Sequence, residues 1–493
     1  MSLGQVPNEI SFNEVANNTY SLSPLMYKKV QINNANKLKM SEVTVKGNYY
    51  EKGNEPGSQW YVKDSNTYLI RTKALQDFSY LVYPKGESIV SINPKKYIGC
   101  NLKRGDILLS KDSNIGEVAI VCDNECKGYD FSSGIVKLNI SEKFDPFYVF
   151  ACLKHNSFKE QLISMCPKGA TIKHAGERWM DCYIAFPSQD NAEKIISYIS
   201  DLVKIVMKME RIIADKSQHI LEIISQNLLA NQKKSEYVYG YPTFDNLKKE
   251  KRLDAAIYCK EYKDKIHLIE NYKDGYYTPS EYGFTVIPGP SLEIKILKTR
   301  VDSEEYISGF YNLLLPTNIS EFGTINKIQY LGTKKSLPLL KKGDILFGEA
   351  GFQKGRSIVL VDEIENCTTN AHGLYARRDD IDLKKSIFFR CIFDWYRNMK
   401  LIDLMAVGGS GGHFSPEYFD YIRIPKFPNE VIDEIVNEYS CDLDFDYGGN
   451  VENLKKIKLN DYGIVQLDKE AKLLKNHINE LISMIINGEK LEV

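Results

Sequence analysis

The sequence predicts a mixed α/β (α+β) chain that uses one globular module twice, the copies separated by an antiparallel pair of long heptad helices. Three observations predict it. The phrase "LKRGDILLS" at 102–110 returns as "LKKGDILFG" at 340–348. The segments around each phrase recur in the same order, the mark of an internal repeat. After each copy comes an apolar 4-3 pattern, which suits a helix packed along one seam.

The bulk numbers fit that reading. A chain of 493 residues has room for about two to four domains. With 43% hydrophobic and 26% charged residues, the composition is that of an ordinary soluble globular protein. No run of about 18 or more apolar residues and no secretory signal occurs, so a cytoplasmic protein without membrane partners is expected. The ten cysteines include no CxxC pair. Cys122 and Cys126 lack a second ligand pair or a nearby histidine, so reduced thiols are expected rather than zinc. Net charge is −1, short of the basic signature of a typical nucleic-acid binder. Any surface for DNA is therefore local, or partners supply part of the positive field.

Taken in order, the repeat begins with "SLSPLMY" (21–27) set against "RLDAAIY" (252–258), and "RTKALQDF" (71–78) against "LPTNISEF" (315–322). Gly-Asp is turn chemistry, and the apolar run after it reads as a short buried strand. Gly116 then falls opposite Gly355, with one residue inserted, and "SSGIVKLNI" (132–140) opposite "AHGLYARRD" (371–379). A helix follows in each half. Phe388, Ile392, Trp395, Met399 and Ile402 give one apolar face, and Phe147, Phe150, Ala151, Phe158, Leu162 and Met165 a rougher version. Next come polar, glycine-bearing loops, "PKGATIKHAGERW" and "GGSGGHFSPEY", then strands ending in proline, "CYIAFP" and "YIRIP". The order agrees throughout while the side chains mostly differ: one scaffold, two surfaces.

Ile195, Ile199, Leu202, Val206, Met209, Ile213, Lys216, Ile220, Ile223 and Asn227 form the first seam, with two polar positions that can fix register. Leu467, Ala471, Leu474, Ile478, Leu481 and Ile485 form the second, preceded by an apolar stretch at 431–439. The boundaries expected are a first module at 1–189 and a spacer helix at 190–235. A linker and second module fill 236–428, and a second helical region fills 429–493, with a polar insertion at 441–460.

Together these segments resemble the specificity (S) subunits of type I restriction-modification systems. The marks are "GDILLS…IGEVAIV" and "GDILFG…KGRSIVLV", the "GATIKHAGERWMDCYIAFP" segment, "RLDAAIYCKEY" and the heptad helices, and they cover almost the whole chain. The looser "GGSGGHF" and the interruption at 441–460 depart from the family form. The resemblance implies a prokaryotic, cytoplasmic, non-catalytic reader of double-stranded DNA. It implies two target-recognition domains that read a bipartite, asymmetric sequence. Two modification subunits would use S-adenosylmethionine to methylate adenine N6 on a base taken out of the helix. Restriction subunits would use ATP and Mg. No cofactor is expected in this chain.

Base edges are read by donors and acceptors on exposed loops. The polar loop after the first internal helix offers Lys168, Thr171, Lys173, His174 and Arg178, with Glu177 its only acid; the second offers Ser410, His413 and Tyr418. Lysine and arginine suit phosphates. The segment at 45–63 interleaves bases with aromatics through Lys46, Tyr49, Tyr50, Lys52, Gln59, Trp60 and Lys63. After the Gly-Asp strands stand Lys111, Asp112 and Asn114 in one half and Gln353, Lys354 and Arg356 in the other. Each set has a bland counterpart: solvated loop lysines, or aromatics packed on a sheet. Beside the first seam, Ile196, Val203 and Ile224 are expected either to form a partner groove or to fill the chain's own core.

Catalytic patterns are missing. "DPFY" (145–148) lacks the second proline of an adenine-methylase motif and reads as a helix N-cap. "LEIK" has no Pro-Asp pair upstream, no GxxxxGK[ST] loop occurs, and no histidine lies in HExxH spacing. A scaffold whose duplicated modules bind polypeptides is the competing reading.

Overall fold

The computed structural model describes residues 4–5, 7–17, 20, 22, 27, 29–84, 86–122, 128–166, 174–234, 237–350, 354–408 and 412–491. They fall into two units. Unit 1 comprises Met1–Ile212, Phe445–Leu459 and Leu467–Val493; unit 2 comprises Ile213–Asp444 and Asn460–Gln466.

Unit 1 opens with β1 (Gly4–Gln5), helix α1 (Phe12–Asn17) and β2 (Lys29–Val30), β1 pairing antiparallel with β2. Then follow β3 (Lys37–Lys39), α2 (Met40–Val43), β4 (Tyr50–Lys52), β5 (Tyr68–Ile70) and β6 (Ile89–Ser91). After them come β7 (Ile107–Ser110), β8 (Val118–Ile120), β9 (Tyr129–Phe131) and β10 (Ile135–Leu138). The strands make an antiparallel sheet in the order β4-β10-β7-β8 and a second sheet β6-β5-β9, whose β5 and β9 run parallel. Helices α3 (Pro146–Lys154) and α4 (Asn156–Met165) lead to β11 (Tyr183–Ala185), which pairs with β3, and to α5 (Ala192–Ala230).

Unit 2 repeats the plan. It contains α6 (Phe244–Glu250), α7 (Lys260–Glu270), β12 (Tyr276–Tyr277), β13 (Thr285–Pro288), α8 (Ile294–Leu297), β14 (Val301–Ser303) and β15 (Tyr311–Leu313). Strands β16 (Gln329–Gly332), β17 (Ile345–Gly348), β18 (Ser357–Val359), β19 (Cys367–Thr368) and β20 (Gly373–Arg377) come next. The orders β13-β20-β17-β18 and β12-β21 match those of unit 1, and β14-β16-β15-β19 matches β6-β5-β9, parallel pair included, with β14 added at its edge; β21 is Ile424–Pro425. Helices α9 (Leu383–Asn398), α10 (Leu401–Met405) and α11 (Asn429–Tyr439) complete the unit. Helices α12 (Val451–Leu454) and α13 (Ile464–Asn487) end the chain. The duplicated module inferred from two nine-residue phrases is thus a duplicated sheet topology.

The Gly-Asp phrase recurs because its aspartate closes the turn that starts the central strand. Asp106 Oδ2 accepts from the Lys103 backbone N–H at 2.8 Å, and Asp344 Oδ2 accepts from that of Lys341, also at 2.8 Å. Gly105 and Gly343 hold φ of 88° and 89°, where any other residue is strained. The strands that follow are wholly buried. Leu108 packs with Ile70, Ala119, Phe131 and Ile135, and its counterpart Leu346 with Leu314, Ile358 and Tyr375.

Local detail departs from the sequence reading at three points. The second internal helix stops at Asn398: Lys400 takes φ 62° and α10 restarts the chain, so Met399 and Ile402 do not continue the face of Phe388 and Trp395. The first internal helix is two, because His155 leaves helical geometry and caps α4. Gly134 and Gly373 are not equivalent. Ile135 faces Ser110, whereas Gly373 faces Gly348, a slip of one residue. Gly373 is a strand residue whose Cβ would lie 2.3 Å from Thr369 Oγ1, while Gly134 precedes its strand. Of the two roles expected for Val203 and Ile224, a partner groove or the chain's own core, full burial selects the core. Ile196 is half-buried and lines a groove of about 510 Å³ with Phe144, Tyr148 and Phe186. Cys126 and most of "SLSPLMY" lie outside the described residues. Asp145 caps α3, accepting from the Phe147 and Tyr148 N–H groups at 2.8 and 3.2 Å.

The seams pair antiparallel within each unit. In unit 1, Gln189 meets Leu491, Tyr198 meets His477 and Glu210 meets Lys475, so position rises along α5 as it falls along α13. In unit 2, Lys216 bonds Glu438 at 2.8 Å, and His219 lies 4.0 Å from Glu434. The apolar seam residues are buried on both helices. Of the two polar positions, Lys216 takes the Glu438 carboxylate and Asn227 accepts from the Tyr272 hydroxyl at 2.9 Å.

Two predictions follow from this packing. Burial pushes the His155 imidazole down to about 4. Its Nδ1 accepts from the Ser157 N–H, leaving Nε2 to donate to Ser483 on α13. The unfolded chain gains a proton below about 6.5 that the folded chain refuses, so stability is complete above that pH and falls toward pH 4, by up to about 3 kcal/mol. Urea titrations from pH 7 to 4.5 should show that loss, and His155→Gln should flatten it; an unchanged slope refutes the assignment. Gly53 and Gly289 end the edge strands β4 and β13, where a Cβ would lie 2.2 Å from the Ser132 carbonyl and 2.1 Å from that of Asn370. Each Gly→Ala change should cost about 1–3 kcal/mol by overpacking, read as a lower urea midpoint.

Candidate nucleic-acid interface

In both modules the chain leaving the central strand turns sharply back. The Gly116 N–H donates to Ser110 and the Gly355 N–H to Gly348, each at 2.9 Å, with φ of 81° and 79°. These are the glycines the sequence aligned. Backbone bonds then clasp two further segments to the residue after the strand. In module 1, Lys111 N–H donates to the Gly134 carbonyl and its own carbonyl accepts from Ala175, at 2.9 and 2.8 Å. In module 2, Glu349 does the same with His372 and Phe414, at 3.1 and 2.8 Å. His174 bridges Asp112, and His413 bridges Ala350, at matching places.

The side chains at this clasp differ. In module 1, His174 Nδ1 lies 2.7 Å from Asp112 Oδ1, and Lys111 Nζ lies 3.4 Å from the other oxygen. In module 2, the Glu349 carboxylate faces His372 Nδ1 at 3.1 Å and His413 Nδ1 at 3.9 Å. All three imidazoles are exposed. An ionised carboxylate only accepts, so Nδ1 of His174 and of His372 carries the proton and Nε2 is left for an outside partner. Neutral, that nitrogen accepts a hydrogen bond; protonated, it donates one.

Of the residues expected to read DNA, the structure brings Lys111, Asp112 and His174 together, and sets His413 at the equivalent place. Asn114 turns inward, its amide 3.4 Å from the carbonyls of Thr72 and Leu75. Arg178 is exposed at the start of a 3₁₀ turn whose Trp179 is buried and meets the Tyr50 ring edge-on at 5.8 Å. That contact ties the turn to β4, which carries exposed Lys52; half-buried Tyr49 and exposed Lys46 precede it. Trp60 ends a 3₁₀ turn beside the other sheet: its carbonyl accepts from the Asn93 N–H, and Lys96 sits 4.7 Å over its ring. Lys63 is exposed on the same loop. Lys168, Thr171, Lys173, Gln353 and Ser410 lie outside the described residues.

Three assignments need correction. Arg356 is 2% exposed, donates to the Ile319 carbonyl at 3.1 Å and pairs with Glu321, so it is an internal cation. Lys354 is largely buried, with Nζ 3.1 Å from Asp403. Tyr418, in the turn matching that of Arg178, is packed beneath the Arg252 guanidinium at 4.6 Å. Two residues were missed, Glu349 and His372. Extending the repeat by strand register would have found both, since Glu349 takes the place of Lys111 and His372 that of Gly134. Among the described residues no group of His, Cys, Asp or Glu is disposed to hold a metal ion, and no helix is long and apolar enough to cross a membrane.

The geometry defines a class of fold: one mixed module built twice, each copy followed by a long helix. Solved structures similar to this chain include a type I restriction-modification S subunit from M. genitalium. That likeness covers 93% of this chain and 97% of the other at 13% identity, with a TM-score of 0.41. The HsdS subunit from Thermoanaerobacter tengcongensis matches at 12% identity over 92% and 97%, TM-score 0.27. A chain from a structure of complex assembly and conformational transition of the type I R-M system matches at 12% over 92% and 98%, TM-score 0.28. At such scores the likenesses decide nothing further. No protein-family model and no curated sequence matches the chain.

The corrected role of Arg356 has a direct check. Arg356→Met removes a buried charged hydrogen-bond donor while Arg397 still holds Glu321, 2.6 Å away. Stability should fall by about 2–3 kcal/mol in urea unfolding. Unchanged stability would return the residue to the surface.

Proposed function

We propose that this chain is the DNA sequence-specificity subunit of a type I restriction-modification complex in a prokaryotic cytoplasm. It reads a bipartite, asymmetric sequence and docks two modification subunits and the restriction subunits, which carry S-adenosylmethionine, ATP and Mg chemistry. The observation that carries this reading is the clasp: one backbone arrangement, built twice, presents Lys111, Asp112 and His174 in one module and Glu349, His372 and His413 in the other. A backbone scaffold kept while the half-buried charges on it change from Lys111 and Asp112 to Glu349 supports two readers of unlike words. Phosphate contacts position such a reader and base-edge contacts specify. The order of segments in the sequence supports the family reading independently.

The test is co-expression with candidate modification subunits, followed by mapping of methylated adenines. One split, asymmetric sequence is expected. Glu349→Ala should relax one half of that sequence, by about 1–3 kcal/mol at a base pair, and leave the other half intact. Specific affinity should also fall steeply with salt. The reading is lost if the pure chain itself methylates or cuts DNA. It is lost as well if no assembly shows sequence-specific affinity, which would leave a polypeptide scaffold.

A further inference from the structure

At the clasps the two modules share an exposed histidine, His174 and His413, while Lys111 gives way to Glu349 and Gly134 to His372. Away from the clasps a further exposed feature recurs in both. Near the start of each module lies a short helix with a reciprocal N-terminal cap. Ser11 Oγ accepts from the Glu14 N–H at 3.2 Å while Glu14 accepts from the Ser11 N–H at 3.1 Å. Thr243 and Asn246 do likewise at 3.2 and 2.9 Å. The next residue is a phenylalanine in each, Phe12 and Phe244, and these are 74% and 70% exposed. Further on, each segment exposes a leucine, Leu22 at 87% and Leu253 at 85%. Each leucine stands five residues before a buried tyrosine, Tyr27 or Tyr258.

A single exposed apolar residue needs no explanation. A Phe and a Leu recurring ten and nine residues apart in the two copies does, because a feature common to both copies serves either the shared fold or something shared outside it. Side chains this exposed do little for the fold. The flanking charges also disagree: Glu9 and Glu14 stand near Phe12, whereas Lys248 lies over the Phe244 ring at 4.8 Å and Lys251 follows. A partner that engages both segments must therefore recognise the apolar pair and not a charge pattern.

We infer that Phe12 with Leu22, and Phe244 with Leu253, are two equivalent docking points for two copies of one protein that offers an apolar slot. Resting on the function proposed above, that protein is the modification subunit. The repeat then has two faces with opposite requirements: clasps that must differ to read two words, and capped helices that must agree to hold two identical partners.

The experiment uses the full chain and the methyltransferase that gives sequence-specific methylation when co-expressed with it. Native mass spectrometry counts the copies bound. Wild type should carry two. Phe12→Ser with Leu22→Ser should weaken attachment of one copy by at least about tenfold and leave a one-to-one complex; Phe244→Ser with Leu253→Ser should do the same, and all four changes should abolish both. Circular dichroism and urea midpoints should not move. Two copies retained by the fourfold variant would overturn the inference while leaving the functional reading intact. Loss of both copies on changing one segment alone would also overturn it. Should no methyltransferase assemble with wild type and no specific DNA affinity appear, the functional reading fails and takes this inference with it.

Discussion

Each module depends on one residue that bonds through its backbone in both directions. Lys111 and Glu349 stand just past the buried central strand, take one neighbour through N–H and a second through C=O, and so draw three segments of sequence together. None of those bonds uses a side chain. Backbone amides and carbonyls are obligatory partners once water is excluded, so the clasp is fixed by the fold whatever residues occupy it. Lysine and glutamate, opposite in charge, therefore hold the same post. This separates position from identity, which a module built for two different tasks needs.

What was legible in the sequence follows the same division. The Gly-Asp turn was legible because its aspartate has a local job, closing a turn onto the residue three before it. Gly116 and Gly355 were legible because left-handed backbone selects glycine. The heptads were legible because a seam repeats one demand many times. Gly53 and Gly289 went unnoticed although each excludes a Cβ from the same carbonyl surface, for no neighbouring phrase marks them. Identity also misled once. Gly134 and Gly373 match as letters but answer different needs, and strand register sets them one residue apart.

Charged residues were the least legible. Arg356 looks like a reader from the sequence because it follows the strand in a polar loop. Its partner Glu321 lies far upstream and is shared with Arg397, so a network that runs on through Asp394 to Arg390 consumes the cation. Lys354 is taken by Asp403 on a helix that the pattern did not separate from its predecessor. Sequence shows which residues can pair and not which do. Val203 and Ile224 illustrate the apolar version: the same residue types serve a core or a groove, and only burial distinguishes them.

The net charge of −1 then reads differently. Lysines and arginines on a DNA face supply affinity for any sequence, because phosphates are everywhere the same. A carboxylate there opposes that affinity, yet it is an acceptor for the amino group of a base and it fixes the proton of a neighbouring imidazole. Asp112 and Glu349 do the second by geometry in both modules. In a reader of the proposed kind, such pairs surrender non-specific attraction and keep discrimination. That trade suits a chain held on DNA by partners, and it would be a poor one for a chain that had to find its site alone.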